Sequence, residues 1–178
     1  MKKIILIFLM LSFSIKSIAQ NQLITLGTEP ALLVRGAYEG DSDSFAANFF
    51  FSMETETKNG NRVGAFVNYV ELEPYYFASG ITYSKLMTRK ISDVNFFYGG
   101  EVFTLVRGFR APDKSFFVTG AVFLKGTFLM IENFELGFVS KLTYRADIEE
   151  HYKNYKPFDD KKSLKQSFSS TVQAIFRF

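Results

Sequence analysis

From residue 31 to the C-terminus, apolar and polar side chains alternate in stretches of about ten, broken by turn-like clusters. Period two puts the two sets on opposite faces of an extended strand. The last stretch is the clearest. Phe168, Ser170, Val172, Ala174, Phe176 and Phe178 share one face, and Ser167, Ser169, Thr171, Gln173, Ile175 and Arg177 the other. No segment after residue 19 holds the run of roughly 20 apolar residues that a spanning helix needs. If the chain enters a membrane, it does so as strands.

The pattern recurs upstream. Phe134, Leu136, Phe138, Leu142 and Tyr144 oppose Glu135, Lys141, Thr143, Arg145 and Asp147. Val118, Val122, Leu124 and Phe128 oppose Thr119, Lys125 and Thr127, and Val94, Phe96, Tyr98, Val102 and Val106 oppose Asn95, Glu101 and Arg107. Phe45, Ala47, Phe49, Phe51 and Met53 oppose Asn48, Ser52, Glu54 and Glu56. Weaker alternation at Val63–Tyr69, Phe77–Tyr83 and Leu32–Tyr38 brings the predicted total to eight strands, with the first at Leu32–Tyr38. Connections at Lys58–Asn61, Thr88–Asp93 and Ile131–Asn133 are short. The intervening ones are Glu39–Ser44, Glu73-Pro74, Phe109–Ser115 and the longest, Ile148–Gln166. Asn59-Gly60 is a two-residue hairpin signal, yet a two-residue turn would put Asn68 on the apolar face; a three-residue loop keeps the phase.

The N-terminus has a different character. Lys2 and Lys3 precede an apolar run, Ile4–Phe13, interrupted only by Ser12, and Ser17-Ile18-Ala19 supplies small residues for cleavage. This predicts a secretory signal peptide over residues 1–19 and a single domain over 20–178. The leader holds Lys2, Lys3 and Lys16 of the 21 basic side chains and none of the 18 acidic ones, so the rest of the chain carries no formal net charge. No basic excess points to nucleic acid. The chain has no cysteine, which excludes both disulfides and a lipid-modified N-terminal Cys.

Alternation alone does not say which face is wet. A soluble barrel is apolar inside; a membrane barrel inverts this, because an Arg or Lys facing mid-bilayer costs about 2–4 kcal/mol. The apolar faces here are rich in Phe and uninterrupted, while the opposite faces carry charges mid-strand among Thr, Ser, Gly and Ala. The final strand ends at Phe178, with Phe176 and Val172 in phase. That ending resembles the C-terminal signature of bacterial outer-membrane barrels, and the whole plan is similar to the small eight-stranded outer-membrane β-barrel superfamily. The resemblance is one of pattern. It implies an all-β, eight-stranded antiparallel up-and-down transmembrane barrel, located in the outer membrane, in contact with its lipid and delivered through the barrel-assembly machinery. The competing reading is a secreted lipocalin-like ligand carrier, but the Gly-x-Trp of that family is missing, as the chain has no Trp.

Chemistry-bearing motifs are sparse. The one histidine, His151, lies in the longest loop among Glu149, Glu150 and Tyr152; with Ser163 or Ser167 it could serve a lipid-modifying enzyme, and otherwise it is a solvated loop residue. Asp159-Asp160 lacks the ligand order of a calcium loop, so neither metal nor cofactor is expected. Gly99-Gly100 lies within a strand without phosphate-loop context. Inside an eight-stranded barrel there is room for little beyond its own side chains. A charge network of Glu54, Glu101, Lys125, Glu135, Lys141 and Arg177 is therefore expected to fill the lumen, with Glu101 opposite Phe123 if the hairpin near residue 112 closes symmetrically. In the longest loop, His151, Tyr152, Lys153, Tyr155 and Lys156 are the candidates for contact with a surface partner. A structural or interaction role without catalysis is the expectation.

Overall fold

The structure is a computed structural model. It describes residues 21–30, 48–70, 76–91, 94–107, 116–145 and 168–178, with backbone alone at 76, 88–91 and 107. Eight strands are present: β1 (Gln22–Thr28), β2 (Asn48–Glu56), β3 (Arg62–Val70), β4 (Tyr76–Ile91), β5 (Val94–Arg107), β6 (Phe116–Ile131), β7 (Phe134–Thr143) and β8 (Phe168–Arg177). Each pairs antiparallel with its sequence neighbour, and β1 pairs with β8, so the sheet closes into a barrel with no free edge.

The first strand corrects the expectation drawn from Leu32–Tyr38. It is Gln22–Thr28 that joins both ends of the sheet, with Ile24 opposite Met53 on one side and Phe176 on the other. This segment carries no charge, so no polar contrast marks its two faces. Residues 31–38 lie outside the described residues, as do residues 1–20 and the loops between the strands at the far end from the termini.

Following the ladders from Gln22 through Thr55, Val63, Tyr83, Gly100, Val122, Leu142 and Phe168 back toward β1 gives an offset of about ten residues. Eight strands with that shear tilt steeply and enclose a lumen just wide enough for side chains. Short turns connect β2–β3, β4–β5 and β6–β7 at the terminus end. In the first of these the Gly60 N–H bonds the Thr57 carbonyl and the Thr57 N–H bonds the Asn61 carbonyl. Gly60 adopts φ +79°, as a three-residue loop with a left-handed third position requires.

Orientation of the faces follows from exposure. Phe49, Phe138 and Phe176 point outward at 49%, 47% and 37% exposure, as do Phe77, Ile81, Val102, Val118, Val122 and Leu124. Lys125 and Lys141 are buried inside. The exterior of the wall is thus largely apolar. A water-soluble barrel would present the reverse.

Candidate functional site in the lumen

The lumen divides into two zones, each fixed by strand position. At the terminus end, the last residue of β2's ladder, Glu56, meets the first of β3, Arg62, while β7 and β8 bring Glu135 and Arg177 from the far side. Arg62 donates from Nε to Glu56 at 3.1 Å and from Nη2 to both Glu135 oxygens at 2.9 and 3.0 Å. Arg177 makes a two-pronged contact with Glu56 and a further 2.7 Å bond to Glu135. Two guanidinium groups and two carboxylates are thus knotted across the barrel axis. Arg62 is 1% exposed and also stacks over the Phe97 ring, 4.5 Å from its centroid. Charge-assisted, forked bonds of this kind are the strong ones. Removing one partner from so buried a pair typically costs about 3–5 kcal/mol.

Two simple pairs occupy the middle. Lys125 approaches Glu54 at 3.8 Å, and Glu54 also accepts a 2.7 Å bond from the Ser52 hydroxyl. Lys141 donates to Glu101 at 3.1 Å, with its ammonium 5.6 Å from the Phe50 ring and 6.0 Å from that of Phe66. The predicted register near residue 112 is corrected here: Glu101 lies opposite Ala121, and Phe123 lies opposite Gly99. The β5–β6 connection closes one residue earlier than symmetry about 112 requires. Glu101 then reaches Lys141 over the small Ala121 rather than meeting Lys125. Gly99 is needed where it stands, since a Cβ there would collide with the backbone carbonyl oxygen of Tyr83.

The second zone was not expected. Toward the loop end the lumen is rich in apolar side chains: Phe50, Phe66, Val70, Ala78, Phe103, Leu105, Phe117 and Ala121 form one buried cluster. Phe66 stacks on Phe50 and meets Phe103 edge-on, each at 5.7 Å between centroids. The charge network therefore fills only part of the lumen, and phenylalanine faces both ways. Beside this cluster a cavity of about 20 Å³ remains, bordered by Glu29, Asn48, Lys141 and Thr171. That is space for about one water molecule.

Glu54, Glu101, Lys125, Glu135 and Lys141 are buried and Arg177 is partly buried, and the six sit in three groups. Arg62 and Glu56 were missed as members. Arg62 shares the phase of Gly64 and Phe66 and was legible from that; its place beside the turn disguised it. Arg145 is also buried. The loop candidates His151, Tyr152, Lys153, Tyr155 and Lys156 lie outside the described residues, as do Ser163 and Ser167. Among the described residues, no three His, Cys, Asp or Glu side chains gather as a metal site.

Comparison with solved structures decides the architecture. The chain superposes on the Yersinia pestis outer membrane protein Ail, solved in a phospholipid bilayer nanodisc, with a TM-score of 0.52 over 89% of this chain and 99% of that one. The fold is that of a small outer-membrane β-barrel. Sequence identity to Ail is only 12%, so the likeness is one of fold. Neither a family profile nor a curated protein matches the sequence. What the two chains share is the fold.

Proposed function

We propose that this chain is an exported outer-membrane barrel with a structural or surface-interaction role, sealed through its lumen and without catalysis. The observation that carries this reading is the filling of the interior. Among the described residues, inward Phe rings crowd the loop-end half and ion pairs the terminus end, with space for about one water beside Lys141. Among the described residues, the space beside Lys141 is too small for a substrate, and an aqueous channel would need more strands. With the lumen closed, contact with the surroundings falls to the wall and to the loops, where Tyr152, Lys153, Tyr155 and Lys156 remain the proposed contact residues. Residues 1–19 are the proposed export signal, and Phe178 with its phased neighbours the proposed signal to the assembly machinery.

The purified chain in planar bilayers tests the seal. No steady conductance is expected; stable single-channel steps in the wild type would overturn the reading. His151→Ala is expected to leave the cell's lipid profile unchanged, and an altered acyl pattern would revive a lipid-modifying role. Membrane fractionation with heat-modifiable gel mobility separates the barrel from a secreted carrier.

A further inference from the structure

Among the described residues, one charge within the strands lies on the wrong face for a lipid-facing wall. Lys85 is exposed on the outside of β4, in phase with Ile81, Tyr83 and Met87, which are 65%, 48% and 55% exposed. Its opposite number on β5 is Tyr98, itself 44% exposed, and Tyr83 is next along the same face. Directly opposed side chains of an antiparallel pair stand about 5 Å apart at Cβ. One ammonium and two phenols thus emerge together from a largely apolar wall.

The location of this group explains how a lysine is tolerated there. The β3–β4 ladder ends at Arg62 and Ser84. Lys85 is the first residue beyond it, where the neighbour on that side is no longer a strand but the 57–61 turn, whose Asn61 side chain accepts the Leu86 N–H at 3.2 Å. The register of β4 against β5 then slips between Leu86 and Thr88. From this level the four-carbon stem can extend past the turn to the terminus-end boundary of the wall, keeping its methylenes against apolar surface. On the loop side of Tyr98, the outward positions Gly100 and Gly120 leave a shallow strip between Tyr83, Val102 and Val122.

We propose that Lys85, Tyr83 and Tyr98 form a binding site for the phosphate of an anionic phospholipid in the leaflet on the terminus side of the barrel, its acyl chain lying along the strip over Gly100. Charge complementarity selects the occupant: the counter-charge that a lipid-facing ammonium can reach is a lipid phosphate, and the phenols of Tyr83 and Tyr98 favour the headgroup boundary. The site rests on the outward-apolar orientation of the wall and is independent of the sealed lumen.

The test uses the full chain reconstituted in phosphatidylcholine nanodiscs containing a minor fraction of phosphatidylglycerol, followed by gentle extraction and native mass spectrometry of retained lipid. The wild type is expected to retain phosphatidylglycerol in preference to phosphatidylcholine. Lys85→Gln is expected to lower that preference about fivefold, as for loss of one basic contact, and Lys85→Arg to keep it. A wild type without preference overturns the proposal whatever the variants do. An unchanged preference in Lys85→Gln overturns it too, as does carbodiimide coupling of Lys85 to a carboxylate of a second protein. Heat-modifiable mobility is read on each sample; its absence in the wild type would count against the barrel itself, a failure distinct from loss of lipid selectivity.

Discussion

The two halves of the lumen solve the same packing problem with opposite chemistry. At the terminus end, Arg62, Glu56, Glu135 and Arg177 are tied to one another through directional bonds. At the loop end, Phe50, Phe66, Phe103 and Leu105 fill space without any polar obligation. The difference teaches where tolerance lies. An ionic knot fails when any member is deleted, because a buried charge is left unpaired. An aromatic cluster loses contacts in proportion to the volume removed. The same wall encloses both, so contrasts between them are free of fold differences.

Breaking the knot should have the largest effect. Glu135→Ala leaves both guanidinium groups short of a partner and is expected to destabilise by about 3–5 kcal/mol, read as a lowered urea midpoint of the heat-modifiable band in micelles. A loss under about 1 kcal/mol would mean that solvent enters this end freely. In the apolar half, Phe103→Leu keeps most of the volume but gives up the edge-on contact with Phe66, for an expected loss of about 1–2 kcal/mol. Between the halves, a double-mutant cycle of Glu101→Gln with Lys141→Met should show a coupling of about 1 kcal/mol; no coupling would say the pair is decorative. Smallest of all is the response to salt. Because these pairs are buried, raising sodium chloride from 0.1 to 1 M should move the midpoint by less than about 0.5 kcal/mol. A steep salt dependence would show that the knot is solvated, and would erase the distinction between the halves.

Much of the wall was legible before any coordinates. Charges on one side of each stretch marked the inward face, and the outward Phe and Tyr followed by period two. The three-residue turn at Lys58–Gly60 followed from the phase of Asn68 alone. Three things were hidden, each for a physical reason. Gln22–Thr28 has no charge to separate its faces, whereas Leu32–Tyr38 contains Arg35 and drew the first strand there. The inward rings were masked because runs such as Phe49-Phe50-Phe51 are aromatic on both sides, and alternation detects only contrast. Pairings across the axis, such as Arg62 with Glu135, depend on shear and closure, which no local pattern encodes. Lys85 was overlooked because its stretch was read only as far as Tyr83.

The four-membered knot also has a bearing on assembly. Its members come from β2, β3, β7 and β8, with Arg177 at the end of β8. The first hairpin therefore cannot satisfy its own Arg62 and Glu56 fully until the last strand has docked. Completion of the ring and neutralisation of its interior are one event, so a chain halted before its final strand carries an electrostatic debt that only the missing piece can discharge.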